Sequence, residues 1–388
     1  MKIHHLITLA ACLPCLGASK PVEAYFDRAQ ELVAQHRRSV DGLTAPAELV
    51  RAALFAGGAF YVTGSDEGWI AEATGRSGGL MPVRALSSPA AAHAGDVVWL
   101  SYSPATYESQ RQIAADLQQK KCLVIAFGPR PATGAATFEY WIDSLTPWIA
   151  DQNLTVLGNV LSLWTLTGEL ASATARAGKT LVFYQSNYRP GGRERNLRYQ
   201  GRTFHAPGEP HMDPVQPGVA ARAYLDSIAQ TLGDIRAHEM DRVIAVGKEI
   251  GRRSASHPAI VTAISHLMNH EFTGDGKWFQ AYKGDADRLD AALGADGYLI
   301  WLGPYNGIQT ELWDAVRRAK AKAVWICIPK AGQNLDLERY GDILIDQHWA
   351  EGDAAVSMPG YDVRILPPSG IAQMVIYEAM LRAARAQN

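Results

Sequence analysis

Two short stretches of this 388-residue chain carry residue types that gather a negatively charged small molecule. Gly64-Ser65 ends the strand-like run Ala59-Phe60-Tyr61-Val62-Thr63, and Ser101, Ser103 and Thr106 follow the run Val97-Val98-Trp99-Leu100. Helical spacing resumes after each turn. Hydroxyls and free backbone N–H groups therefore collect at a helix N-terminus, where orphan donors and the helix dipole both favour a phosphate or carboxylate. This makes Gly64, Ser65, Ser101, Ser103 and Thr106 the candidate ligand-binding residues. The plainer reading of the hydroxyls is that they cap helices, since serine and threonine rank high in that preference. Asp66 and Glu67 stand beside the first turn, and carboxylates repel an anion unless they carry protons or bind sugar hydroxyls.

A second constellation is His266, His270 and Glu271. Two histidines four apart share a face of a helix, which is one way to hold a divalent metal, but the glutamate that follows the first histidine in zinc proteases is missing. Ordinary polar packing is the plainer reading, and no metal centre and no cofactor are assigned. His205, His211 and Asp213 fall in a stretch that reads as solvated loop.

The elements that must position these groups are written twice. Ala24-Tyr25-Phe26-Asp27 and Ala223-Tyr224-Leu225-Asp226 open apolar-periodic helices 199 residues apart, and Trp99 and Trp301, 202 apart, sit in similar strand-like runs. A near-constant offset predicts a tandem duplication of one α/β unit. Strands alternate with helices of ten or more residues, which argues for parallel sheets covered on both faces. In the first half the strands are expected at 59–63, 81–86, 97–100, 123–127 and 155–157, with a long helix from Asn159 to Ala177 and Thr44 capping a helix near Pro46. In the second half they are expected at 259–263, 277–282, 297–302, 323–328 and 342–346, with a closing helix from Gly370 to Ala386. The expected fold class is thus α/β, two tandem three-layer αβα domains at 24–183 and 222–388. Residues 184–221 join them in a Pro- and Gly-punctuated segment whose arginines, among them Arg189 and Arg193, either cover a ligand mouth or solvate a linker.

With 47% hydrophobic and 20% charged residues the chain can bury two cores, and a formal charge of -2 offers no overall basic field for nucleic acid or an anionic membrane. Cys122 and Cys327 read as core thiols in separate sheets rather than a disulfide. Residues 1–20 read as a secretory or lipoprotein-type signal, with Leu9-Ala10-Ala11-Cys12 resembling a lipobox, so export with membrane attachment by this end only is one expectation. A cytoplasmic location follows if the segment is no signal, and a homodimer is compatible with either.

The stretch from Tyr61 to Ser65, through Arg76-Ser77-Gly78-Gly79-Leu80-Met81-Pro82-Val83, to Gly95 through Thr106 resembles the SIS (sugar isomerase) domain family. That pattern has a first strand ending in a Gly-Ser turn and a later strand ending in a Ser-x-Ser-Gly-x-Thr phosphosugar loop. The resemblance implies flavodoxin-like parallel sheets and a phosphosugar or other anionic carbohydrate derivative as the small-molecule ligand. Pro104 replaces the loop glycine, removing a backbone donor. The second copy keeps Gly307 and Thr310 but neither serine, which implies a weakened or repurposed site. Tandem members include aldose-ketose isomerases, which use a carboxylate base and a His or Lys; the resemblance carries no catalytic residue across, and by residue type alone Glu67 and His270 are the candidate catalytic residues, with Glu72 also near the first loop and His266 and Glu271 in the second copy. The expected function is binding of such a sugar, with aldose-ketose or amino-sugar phosphate isomerisation as the enzymatic version. A non-catalytic sensor or regulatory binding protein is the alternative.

Overall fold

A computed structural model describes residues 16–131, 138–148, 152–253, 257–263, 265–267, 277–294, 297–305, 310–329, 341–350 and 352–387. The signal-like residues 1–15, His270 and Glu271 lie outside them.

The first sheet contains β1 (Phe60–Gly64), β2 (Val83–Ala85), β3 (Val97–Ser101), β4 (Leu123–Gly128) and β5 (Tyr140–Asp143), all parallel in the order β2-β1-β3-β4-β5. The second contains β6 (Ala259–Ala263), β7 (Phe279–Ala281), β8 (Tyr298–Tyr305), β9 (Lys322–Ile328) and β10 (Ile343–Asp346), parallel in the order β7-β6-β8-β9-β10. Both are the doubly wound 2-1-3-4-5 order, whose chain reversal lies between the first and third strands. The duplication read from the sequence is therefore real at the level of topology.

The helices are α1 (Leu16–Ser39), α2 (Thr44–Phe55), α3 (Glu67–Ala73), α4 (Tyr107–Gln119), α5 (Gln152–Arg176), α6 (Gly192–Tyr199), α7 (Val219–His238), α8 (Met240–Gly251), α9 (Leu289–Leu293), α10 (Thr310–Ala319) and α11 (Ser369–Arg385). Helices α1, α2, α5, α7, α8 and α11 share one continuous core with the inner faces of both sheets, while α4 covers the outer face of the first sheet and α9 and α10 that of the second. Helix α1 packs on α7 and α11, and α5 on α7, so the halves are joined through a common helical layer. The approach of α8 to α11 is set by two glycines one turn apart: a Cβ on Gly247 or on Gly251 would lie 2.4 Å from a carbonyl oxygen of α11. Among the described residues no helix is long and apolar enough to cross a membrane.

Three expectations need correction. Thr155-Val156-Leu157 belongs to α5, and the fifth strand is instead Tyr140–Asp143, paired with β4 from Ile125 to Gly128. Thr44 is the first residue of α2 and makes no cap; its hydroxyl donates to Glu169 Oε1 at 3.4 Å. The connecting segment, read as aperiodic, contains the two-turn helix α6. Cys122 and Cys327 are buried free thiols.

Candidate functional site

Strand β1 ends at Gly64, whose φ of +149° lets the chain pass directly over Ser101 at the end of β3. Ser101 is fully buried there, its hydroxyl without a hydrogen-bond partner. Ser65, Ser103 and Thr106 do converge, as the sequence suggests: Thr106 Oγ1 lies 2.7 Å from Ser65 Oγ and 3.1 Å from Ser103 Oγ. They converge on one another. Ser103 N donates to Thr106 Oγ1 (3.0 Å), Thr106 N to Ser103 O (3.1 Å) and Tyr102 N to Phe127 O (2.9 Å), and Pro104 has no N–H to give. The amides of Tyr102, Ser103 and Thr106 and the hydroxyls of Ser65, Ser103 and Thr106 are thus already engaged. Nor do the hydroxyls cap the helices, since Asp66 caps α3 by accepting from Trp69 N at 2.7 Å and no side chain caps α4. Glu67 is exposed at the first position of α3.

A cavity of about 690 Å³ opens elsewhere, at the junction of the two halves. Its floor is the carboxyl end of the second sheet: Ser265 and His266 follow β6, and Pro304 and Tyr305 end β8. These two strands flank the reversal point of that sheet, the place where doubly wound folds open a ligand crevice. The loops are the counterparts of those after β1 and β3, so the half whose loops look degenerate in sequence is the half whose strand ends form the cavity floor. None of Gly64, Ser65, Ser101, Ser103, Thr106 or Glu67 lines it.

One wall comes from the first half. Helix α3 begins beside the hydroxyl loop and its far end delivers Ala71 to the cavity, followed by Gly75, Arg76 and Ser77. His266 Nδ1 bonds Ala71 O at 3.1 Å, tying the two walls together. Behind them lies a buried charge network. Arg76 Nε is 3.3 Å from Glu72 Oε1 and its Nη2 is 3.1 Å from Asp353 Oδ2 and 2.5 Å from Ser369 Oγ. Asp353 also accepts from Ser369 N (3.2 Å), closing the start of α11, while Trp164 Nε1 donates to Glu72 Oε1 (3.3 Å). Burial pushes both carboxyls up in pKa against the pull of the guanidinium. Asp353 lines the cavity, yet it is committed to Arg76 and to α11.

The remaining wall is the connecting segment, which supplies nine of the twenty lining residues, Tyr188 and Arg193 among them. Of the two readings of its arginines, Arg193 fits the first, a cover over a mouth. Sequence reasoning missed Tyr188, Asn196, Ser265, Tyr305 and Asp353, because a cavity built from six separate stretches of chain leaves no local pattern.

No family model matches the chain, and no curated protein matches it. Solved structures do. A candidate phosphosugar isomerase from Silicibacter pomeroyi superposes with a TM-score of 0.51 at 10% identity, over 95% of this chain and 97% of that one. A candidate sugar-binding protein from Salmonella typhimurium gives 0.51 at 14%, over 93% and 98%, and a candidate phosphosugar isomerase from Clostridium difficile gives 0.51 at 8%, over 94% and 92%. The chain shares the tandem two-sheet αβα fold of these proteins. At identities of 8% to 14% that likeness shows the fold and assigns no residue a role.

Proposed function

We propose that this protein binds a small carbohydrate derivative, a phosphosugar or another anionic sugar, in the cavity between its halves. The observation that carries the reading is the lining of that cavity: the Ser265 hydroxyl and the Tyr305 ring at the reversal point of the second sheet, faced by the Gln185 amide and the Tyr188 ring of the connecting segment. Hydroxyl and amide groups match sugar hydroxyls, and aromatic faces match the apolar face of a pyranose. The fold shared with proteins named for phosphosugars and sugars supports it. Binding without turnover is the version the geometry favours, because the carboxylate at the cavity is already neutralised by Arg76 and a base for aldose-ketose exchange must be free to take a proton.

The experiment is a thermal-shift screen of sugar phosphates and sugar acids, with Ala71→Phe as a cavity-filling control. A ligand at 100 times its Kd stabilises by about 2.7 kcal/mol, so the wild type shifts and the filled variant does not. Equal shifts in both would remove the cavity from the account.

A second reading keeps the isomerase. His266 places an imidazole on the cavity wall; of the other two candidates, Glu67 stands away from the cavity at the start of α3 and His270 lies outside the described residues, so this reading needs a carboxylate base from elsewhere. Loss of an NMR-detected aldose-ketose conversion on His266→Gln would favour it; no conversion by the wild type is the expected result. A third site, the loop of Gly64, Ser65, Ser101, Ser103 and Thr106, is supported by the unpartnered Ser101 hydroxyl beneath it, and requires the loop to release its internal bonds to an anion.

A further inference from the structure

Two arginines line the cavity, and they are in opposite states. Arg76 is 4% exposed and lies between two carboxylates, so it has no charge to spare. Arg193 is exposed at the mouth and makes no hydrogen bond or ion pair among the described residues. Tyr188, on the same segment, lines the cavity and is 46% exposed, its ring 5.9 Å from that of Tyr305 at 81°. An unpaired guanidinium and a half-exposed aromatic ring lining one cavity are two contacts suited to one molecule with an acidic group and an apolar face.

The segment holding them is built in advance. Asn196 Oδ1 accepts from Gln185 N (2.9 Å) while its Nδ2 donates to Gln185 O (2.8 Å) and to Asn187 Oδ1 (3.0 Å). Gly192 fits where a Cβ would lie 2.1 Å from Ser186 O, closing the turn that carries Arg193. Arg195, two residues on, donates to both oxygens of Asp362 at 2.9 Å and to Phe183 O at 2.7 Å, fastening α6 to the second half. Contacts held in place before binding lose little entropy when the ligand arrives.

We infer that the connecting segment reads the acid: Arg193 pairs with the carboxylate or phosphate of an acidic sugar, and Tyr188 stacks on its carbon face. This rests on the cavity being the binding site. It moves anion recognition from the strand-end hydroxyls to the interdomain connection, and makes Arg193 the residue that separates acidic from neutral sugars.

The test is calorimetric titration of the full chain with glucose 6-phosphate, glucuronate and glucose. Wild type prefers at least one acidic sugar over glucose, and the one that binds tells phosphate from carboxylate. Arg193→Gln weakens that sugar tenfold or more and leaves glucose unchanged, Arg193→Lys recovers part of the loss, and the salt dependence of the wild type disappears in Arg193→Gln. Tyr188→Ala weakens acidic and neutral sugars alike. An acidic preference that survives Arg193→Gln overturns the assignment; if Ala71→Phe still abolishes binding in that case, the cavity stands and only the anchor is wrong. Failure of every sugar to bind the wild type overturns both.

Discussion

Arg76 of the first half reaches Asp353 of the second at 3.1 Å, inside the protein, with Glu72 on its other side. Removing the guanidinium leaves two buried carboxylates facing one another without compensation. Arg76→Ala is expected to lower stability by roughly 3–5 kcal/mol, and adding Glu72→Gln to recover part of it. Urea denaturation measures both; a loss below about 1 kcal/mol for Arg76→Ala would show that the network does not join the halves.

His36 supplies a pH dependence of known sign. It is buried, Nδ1 donating to Leu32 O at 2.9 Å, so the neutral ring accepts from Ser162 Oγ at 3.0 Å. Desolvation pushes its pKa down to about 4. The unfolded chain takes up this proton near pH 6.5, the folded chain only near 4, so stability falls as pH drops through that window, by roughly 3 kcal/mol in all. Glu72 and Asp353, raised by burial, act in the opposite direction, so the difference between wild type and His36→Gln is the quantity to follow. Guanidinium titrations between pH 7 and 4 should show the two converging; parallel curves would contradict a buried neutral imidazole.

Gly64 is required by contact as well as by conformation. At φ +149° a Cβ would lie 2.2 Å from Ser101 Oγ and 2.6 Å from Ser101 O. Gly64→Ala is expected to cost about 1–3 kcal/mol, and Ser101→Ala to relieve only the hydroxyl part, because the carbonyl remains. Thermal unfolding of the single and double variants checks this, and a neutral Gly64→Ala would mean that β1 and β3 separate at their ends.

The alternation of strands and helices in both halves was legible because apolar runs and amphipathic helices recur at a repeated spacing, the fifth strand of the first half excepted. The repeat also misled by one residue. Val62 pairs with Trp99 and Val261 with Ile300, so Trp99 matches Ile300, and Trp301 points to the other face of its sheet. Trp99 accordingly packs in the shared core against Phe60 and Phe127, whereas Trp301 packs in the outer cluster against Trp325. A strand alternates faces with period two, so a coincidence of residue type can hide a slip that pairing reveals. Thr155-Val156-Leu157 misled for a related reason, since a three-residue β-branched and apolar run is ambiguous until the helix around it is known. The cavity was illegible because Ala71, Arg193, Tyr305 and Asp353 meet only after the halves dock.

The most direct measurement is isothermal titration of an acidic sugar that shifts the wild type, into Ala71→Phe and into Ser103→Ala/Thr106→Ala. Binding in the cavity predicts that Ala71→Phe loses the heat of binding and that the loop double variant keeps the wild-type Kd within about twofold, since those hydroxyls bond one another and do not line the cavity. The reverse pattern, with binding lost in the loop variant and kept in Ala71→Phe, would contradict the account and return the site to the first sheet.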